Sequence, residues 1–124
     1  MVRKPDEARI KNGMSDFKEE WIELDDGQSL CALINGDLAW IMYLREPGDA
    51  GFSSRNPGYS GPKDAMIEYY LDNGQCDEYP AAWALPIEVV LEAMDFFRRE
   101  RRPPPFINWH NESGDGKRLT AKED

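Results

Sequence analysis

The 124-residue sequence predicts an α+β domain: an antiparallel sheet of about five to six strands with one main helix, residues 86–101, packed on one face. Three observations carry that prediction. Residues 28–44 hold two apolar runs around Asn35-Gly36, a pair suited to a tight type I′ turn because both central positions there need positive φ. Asn73-Gly74 repeats the signal between two further alternating runs. Ile87, Val90, Leu91, Met94 and Phe97 form a single stripe at three- and four-residue spacing.

In chain order, residues 1–14 are charged, lack a period and are expected to be poorly ordered. Trp21-Ile22-Glu23-Leu24 alternates, predicting a strand that turns through Asp25-Asp26-Gly27 into the first hairpin and so a three-strand meander. With Asn35-Gly36 at the tip, Ile34 faces Asp37, Leu33 faces Leu38, Cys31 faces Trp40 and Leu30 faces Ile41. One face then carries Cys31, Leu33, Leu38, Trp40 and Met42. The other carries Leu30, Ala32, Ile34, Ala39, Ile41 and Tyr43. Neither is polar, so both should be at least partly covered.

Residues 45–62, rich in Gly and Pro, read as one long surface connection pinned by Phe52 and Tyr59. Residues 64–72 alternate again, with Ala65, Ile67, Tyr69 and Leu71 opposite Met66, Glu68 and Tyr70; the Asn-Gly turn returns the chain through residues 75–79. Pro86 opens the helix, where its missing N–H does no harm. Asp95 and Arg99 are spaced to pair one turn apart. Four arginines gather at the C-terminal end, which the helix dipole favours, before Pro103-Pro104-Pro105 stops it. Residues 106–110 read as a last strand with Ile107 and Trp109 inward. The domain is expected to span residues 15–110, with residues 111–124 a flexible polar tail.

A net charge of −9 argues against nucleic-acid binding, since a phosphate backbone would be repelled; it favours a basic partner. Cys31 and Cys76 stand apart without metal-site spacing, and neither a signal peptide nor a membrane span is evident, so a cytoplasmic location is expected. His110 is the sole histidine, which rules out multi-histidine metal sites and leaves a lone-histidine role open. Paired carboxylates lie on turns and edges, where solvated charge is the default, and Asp25-Asp26-Gly27 lacks the ligand spacing of a calcium loop. No catalytic motif is found and no cofactor is expected. Aromatic and acidic groups at loops instead describe an interface: Asp49, Phe52, Tyr59, Asp77, Glu78 and Tyr79, with Trp83 equally suited to sealing the sheet–helix junction.

At this point the chain resembles the immunity protein 1 family of bacterial polymorphic toxin systems. The carriers run from Trp21-Ile22-Glu23-Leu24 through L-A-W-I-M-Y-L, R-N-P-G, I-E-Y-Y-L-D-N-G-Q, E-Y-P and L-P-I-E-V-V-L-E-A-M-D-F-F to R-R-P-P-P-F-I-N-W, ending at Trp109. Their order and spacing are more specific than any one of them. The chain departs at its N-terminus, where residues 1–15 are too short and polar to supply an extra helix. The resemblance implies a non-enzymatic protein that binds and neutralises a cognate toxin, often a nucleic-acid deaminase. The residues expected to make that contact are Asp49, Phe52, Arg55 and Tyr59 in the glycine-rich loop, and Asp72, Asn73, Asp77, Glu78 and Tyr79 in the second hairpin. The rival expectation is a small ligand-binding or enzymatic domain with a sheet–helix pocket around Glu68.

Overall fold

The computed structural model describes residues 17–117 and 119; the N-terminal segment read as poorly ordered lies outside them. Three strands open the chain: β1 (Phe17–Glu23), β2 (Ser29–Asn35) and β3 (Leu38–Leu44). They form the expected meander, with Trp21 opposite Cys31 and Leu33 opposite Trp40. The register of the hairpin differs from expectation by two residues, because Gly36 and Asp37 occupy the tip and Asn35 pairs with Leu38. Gly36 alone has positive φ (61°), the pattern of a turn with glycine at its first central position and not the Asn-Gly type. A slip of two preserves which side chains share a face, so the predicted division of the hairpin holds.

The glycine-rich connection is not one loop. Phe52–Arg55 forms β4, paired with β3 through Met42↔Ser53 and Tyr43↔Phe52 and with β8 (Asn108–Asn111) along its length. Its four residues, F-S-S-R, carry too little apolar pattern to announce a strand. Burial of Ser53 and Ser54 is made tolerable by local bonds: Ser54 Oγ accepts from the Ile41 N–H (3.2 Å) and donates to the Trp83 carbonyl (2.9 Å). The first sheet therefore runs β1-β2-β3-β4-β8, with the two-residue β7 (Leu85–Pro86) also on β3. The strand count matches the expected five to six, but β5 (Met66–Tyr70) and β6 (Cys76–Pro80) form a separate two-stranded sheet. A 3₁₀ turn, Ala81–Trp83, follows it.

The layers stack helix, sheet, hairpin. On one face α1 (Ile87–Glu100) buries Val90, Ala93, Met94 and Phe97 against Leu30, Ala32, Ile41, Tyr43, Phe52 and Trp109. Each such large apolar side chain contributes roughly 1.5–3 kcal/mol. Leu91, placed on the predicted stripe, is half exposed, and Ala93 takes the inward position. The helix is rotated so that a small residue permits close approach to the sheet. Asp95 pairs with Arg98 (3.4 Å) and not Arg99, which turns to Glu100. Pro86 offers no side-chain cap; the first helical N–H, of Ile87, donates instead to the Asp37 carbonyl in the first hairpin's turn (2.9 Å). On the other face the β5–β6 hairpin lays Ile67, Tyr69, Leu71 and Tyr79 over Cys31, Leu33 and Trp40.

Both hairpins that bound this second core close by one device. Leu24-Asp25-Asp26-Gly27-Gln28 and Leu71-Asp72-Asn73-Gly74-Gln75 share a sequence pattern and a geometry. In each the leucine N–H donates to the glutamine carbonyl (2.9 Å), and glycine takes positive φ (99° and 91°). In each the central Asp or Asn side chain accepts the glutamine N–H, at 3.1 and 2.9 Å.

Candidate functional site

Four side chains from four parts of the chain stack where the second hairpin meets the main sheet. Trp40 of β3 stacks on Tyr79 of β6 (centroids 4.5 Å apart, planes 13° apart), and Tyr79 on Trp83 (6.1 Å, 25°). The Arg55 guanidinium of β4 covers the outer face of Trp83 at 3.8 Å. Such a cation–aromatic pair contributes about 0.5–2 kcal/mol. Arg55 Nη1 donates to Ser53 Oγ and to the Ser54 carbonyl (both 2.9 Å), and Nη2 to Glu112 (3.3 Å). Ser53 also donates to the Glu112 carboxylate. The arginine is thus held over the indole. Beside it lies an open cleft of about 380 Å³, lined by Arg55, Pro57, Trp83, Asn108 and His110.

Two of the expected contact residues, Arg55 and Tyr79, therefore meet through Trp83. Asp77 joins them: its carboxylate accepts from the Tyr79 hydroxyl (3.3 Å) and from Gln75 Nε2 (2.7 Å). Partial burial, and then the Asp77 charge, push the Tyr79 phenol above its usual range. Asp72 and Asn73 lie at the exposed tip of the same hairpin, where the Asp72 N–H donates to Glu19 Oε1 of β1 (3.0 Å). Glu78 sits on the hairpin's outward face directly opposite Glu68. Like charges paired across strands weaken a hairpin slightly, and here they leave an exposed anionic strip.

The glycine-rich loop departs from expectation. Phe52 has no exposed surface; it is a core residue of β4 under the Arg45 guanidinium (4.9 Å), not a loop aromatic. Asp49 accepts from the Arg45 backbone and from both Nε and Nη2 of its guanidinium (2.8–2.9 Å). Those bonds hold its carboxyl well below the usual carboxylate range and keep only 6% of the side chain exposed. Arg45 reaches on to Asp115 (3.1 Å), so Asp49 is a structural counter-ion joining the loop to the segment after β8. Tyr59 donates to the Pro62 carbonyl (2.8 Å) and packs on Gly61, folded on its own loop.

Glu68 does not line a sheet–helix pocket. It is exposed on the outer face of β5, and β5 lies across the main sheet from the helix. Among the described residues no group of three or more His, Cys, Asp or Glu side chains is placed to hold a metal ion, and no helix is long and apolar enough to cross a membrane. Cys31 is buried under the hairpin; burial, with the Glu19 charge adding, pushes its thiol up to about 12, so it stays a neutral apolar filler.

Two members of this arrangement are not legible as such in the sequence: Trp40 reads as a packing residue of the first hairpin, and Glu112 falls in the polar segment after the last strand. The sequence places Trp21 on one side of its strand, flanked there by the charged Glu23.

The family model described as Immunity protein Imm1 matches residues 2–111 of this chain. A comparison with curated proteins finds no match.

Proposed function

The chain belongs to the Immunity protein Imm1 family, and from that premise we propose that it neutralises a cognate bacterial toxin domain of the nucleic-acid deaminase class by stoichiometric occlusion, in the cytoplasm and without catalysis of its own. Family membership carries the reading; charge and surface chemistry support the finer parts. A deaminase that acts on DNA or RNA needs a basic groove for its substrate. A protein of net charge −9 is drawn to such a groove and can stand where phosphates would. The contact surface we propose is the β5–β6 hairpin with the aromatic stack beside it: Asp72, Asn73, Asp77, Glu78 and Tyr79, extended by Arg55 and Tyr59. Asp49 and Phe52 drop out because an internal ion pair and the core already occupy them. Protection of a producing cell requires very slow escape, so binding below about 1 nM, beyond roughly −12 kcal/mol, is expected.

The test is co-expression with the toxin domain encoded beside this gene. Restored growth, and a 1:1 complex on size exclusion, are expected. A toxin that still kills, with the two proteins eluting separately, would end the proposal.

A further inference from the structure

We propose that Trp21, on the first strand, is the aromatic anchor of this protein's partner surface, and that it seats in an apolar recess bordered by basic groups on the toxin. The assignment rests on the immunity reading above and goes beyond it by naming a residue and the chemistry of the surface that receives it.

Among the described residues Trp21 is the largest side chain left open to solvent, with 47% of its surface exposed. Its indole is nonetheless held. Nε1–H donates to Glu19 Oε2 at 2.7 Å, while Glu19 Oε1 accepts from the Asp72 N–H at 3.0 Å. One carboxylate thus bridges the exposed ring to the tip of the second hairpin, making Trp21 continuous with Asp72 and Asn73. A ring already oriented loses less freedom on binding, which is how a single aromatic can dominate an interface.

The fold explains why Trp21 remains uncovered. The β5–β6 hairpin packs over Cys31, Leu33 and Trp40, whereas Trp21, paired with Cys31, stands on the edge strand β1 and stays exposed. There an open groove of about 330 Å³ is lined by Trp21, Glu23, Gln28, Ser29, Leu44 and Pro47. Half-buried Leu44 and exposed Trp21 supply its apolar surface and exposed Glu23 its charge; Asp26, bonded to Gln28 of the lining, and Asp72, bonded to Glu19, add carboxylates beside it. Hydrogen bonds from Gln28 hold the Asp26 carboxyl below its usual range, so it remains anionic. An apolar centre with an acidic border selects a protein surface of the opposite pattern.

The test uses the full-length protein and the toxin domain encoded beside it, with the toxin catalytically inactivated. Trp21→Ala is expected to weaken binding by about 30-fold or more, mainly through faster dissociation. Glu19→Ala, which frees the indole, should cost roughly 5-fold. Leu91→Ala, at an equally exposed apolar residue on the helix, should change binding less than about 3-fold. A thermal melt checks that each variant is folded. Amide exchange on the unaltered complex gives a readout that needs no variant: protection across residues 17–28 is expected. Wild-type binding with full affinity in Trp21→Ala, or no protection across that segment, would overturn the assignment while leaving the immunity reading intact. Failure of the wild-type pair to bind would remove both. A homodimer dispersed by Trp21→Ala would give the groove to a second copy and overturn the assignment.

Discussion

Single residues in this protein show how burial and pairing decide what a side chain is for. Trp40 Nε1 and the Tyr69 hydroxyl are both buried without a partner among the described residues, in the core between the sheet and the second hairpin. Removing an unsatisfied donor costs nothing and relieves its desolvation. Tyr69→Phe should therefore leave stability unchanged or raise it by up to about 1 kcal/mol in a urea titration. Phe97→Ala, which empties the centre of the helix–sheet core, should cost about 3–5 kcal/mol in the same measurement. The contrast separates two buried aromatics that look equivalent in sequence. Asp49 teaches the complementary lesson: its charge is visible in the sequence, whereas its capture by Arg45, four residues back, shows only in the folded loop, where the same guanidinium also reaches Asp115.

Among the elements, β4 carries the main difference from expectation, and Gly51 is what admits it. Its φ of +88° turns the chain back beside β3, and a Cβ there would lie 2.5 Å from Leu44 Cδ2 and 2.9 Å from the Tyr43 carbonyl. Gly51→Ala should cost at least about 2 kcal/mol of unfolding free energy, combining strain with a clash against backbone. At Gly36 a Cβ would meet nothing within 4 Å, so Gly36→Ala should cost only about 1 kcal/mol, from its positive φ. Equal losses would mean that the close approach at Gly51 has room to relax. The helix was legible from its stripe and its flanking prolines. Its rotation was not, because choosing Ala93 over Leu91 for the inward position depends on the distance to the sheet beneath.

For the molecule as a whole, charge sets how fast the proposed partner is found. Asp77 and Glu78 lie on the hairpin that the reading places at the interface. Replacing both, Asp77→Asn with Glu78→Gln, should slow association with the toxin by roughly 2- to 10-fold at low salt and flatten its salt dependence, with little change in dissociation. Stopped-flow traces at two ionic strengths would show it. Unchanged rates would remove electrostatic steering and leave the Trp21 contact untouched.

The sequence by itself determined the fold class, the two hairpins, the helix and the division of side chains between faces. Periods of two and 3.6 are local properties, and an even slip of register does not disturb them. Family membership was legible for a related reason, in the order and spacing of short segments. The tertiary structure decided which strands share a sheet, that Phe52 is core and that Trp21 is left bare. Each of those depends on residues distant in sequence that close over a side chain or fail to reach it, and no local pattern encodes such coverage.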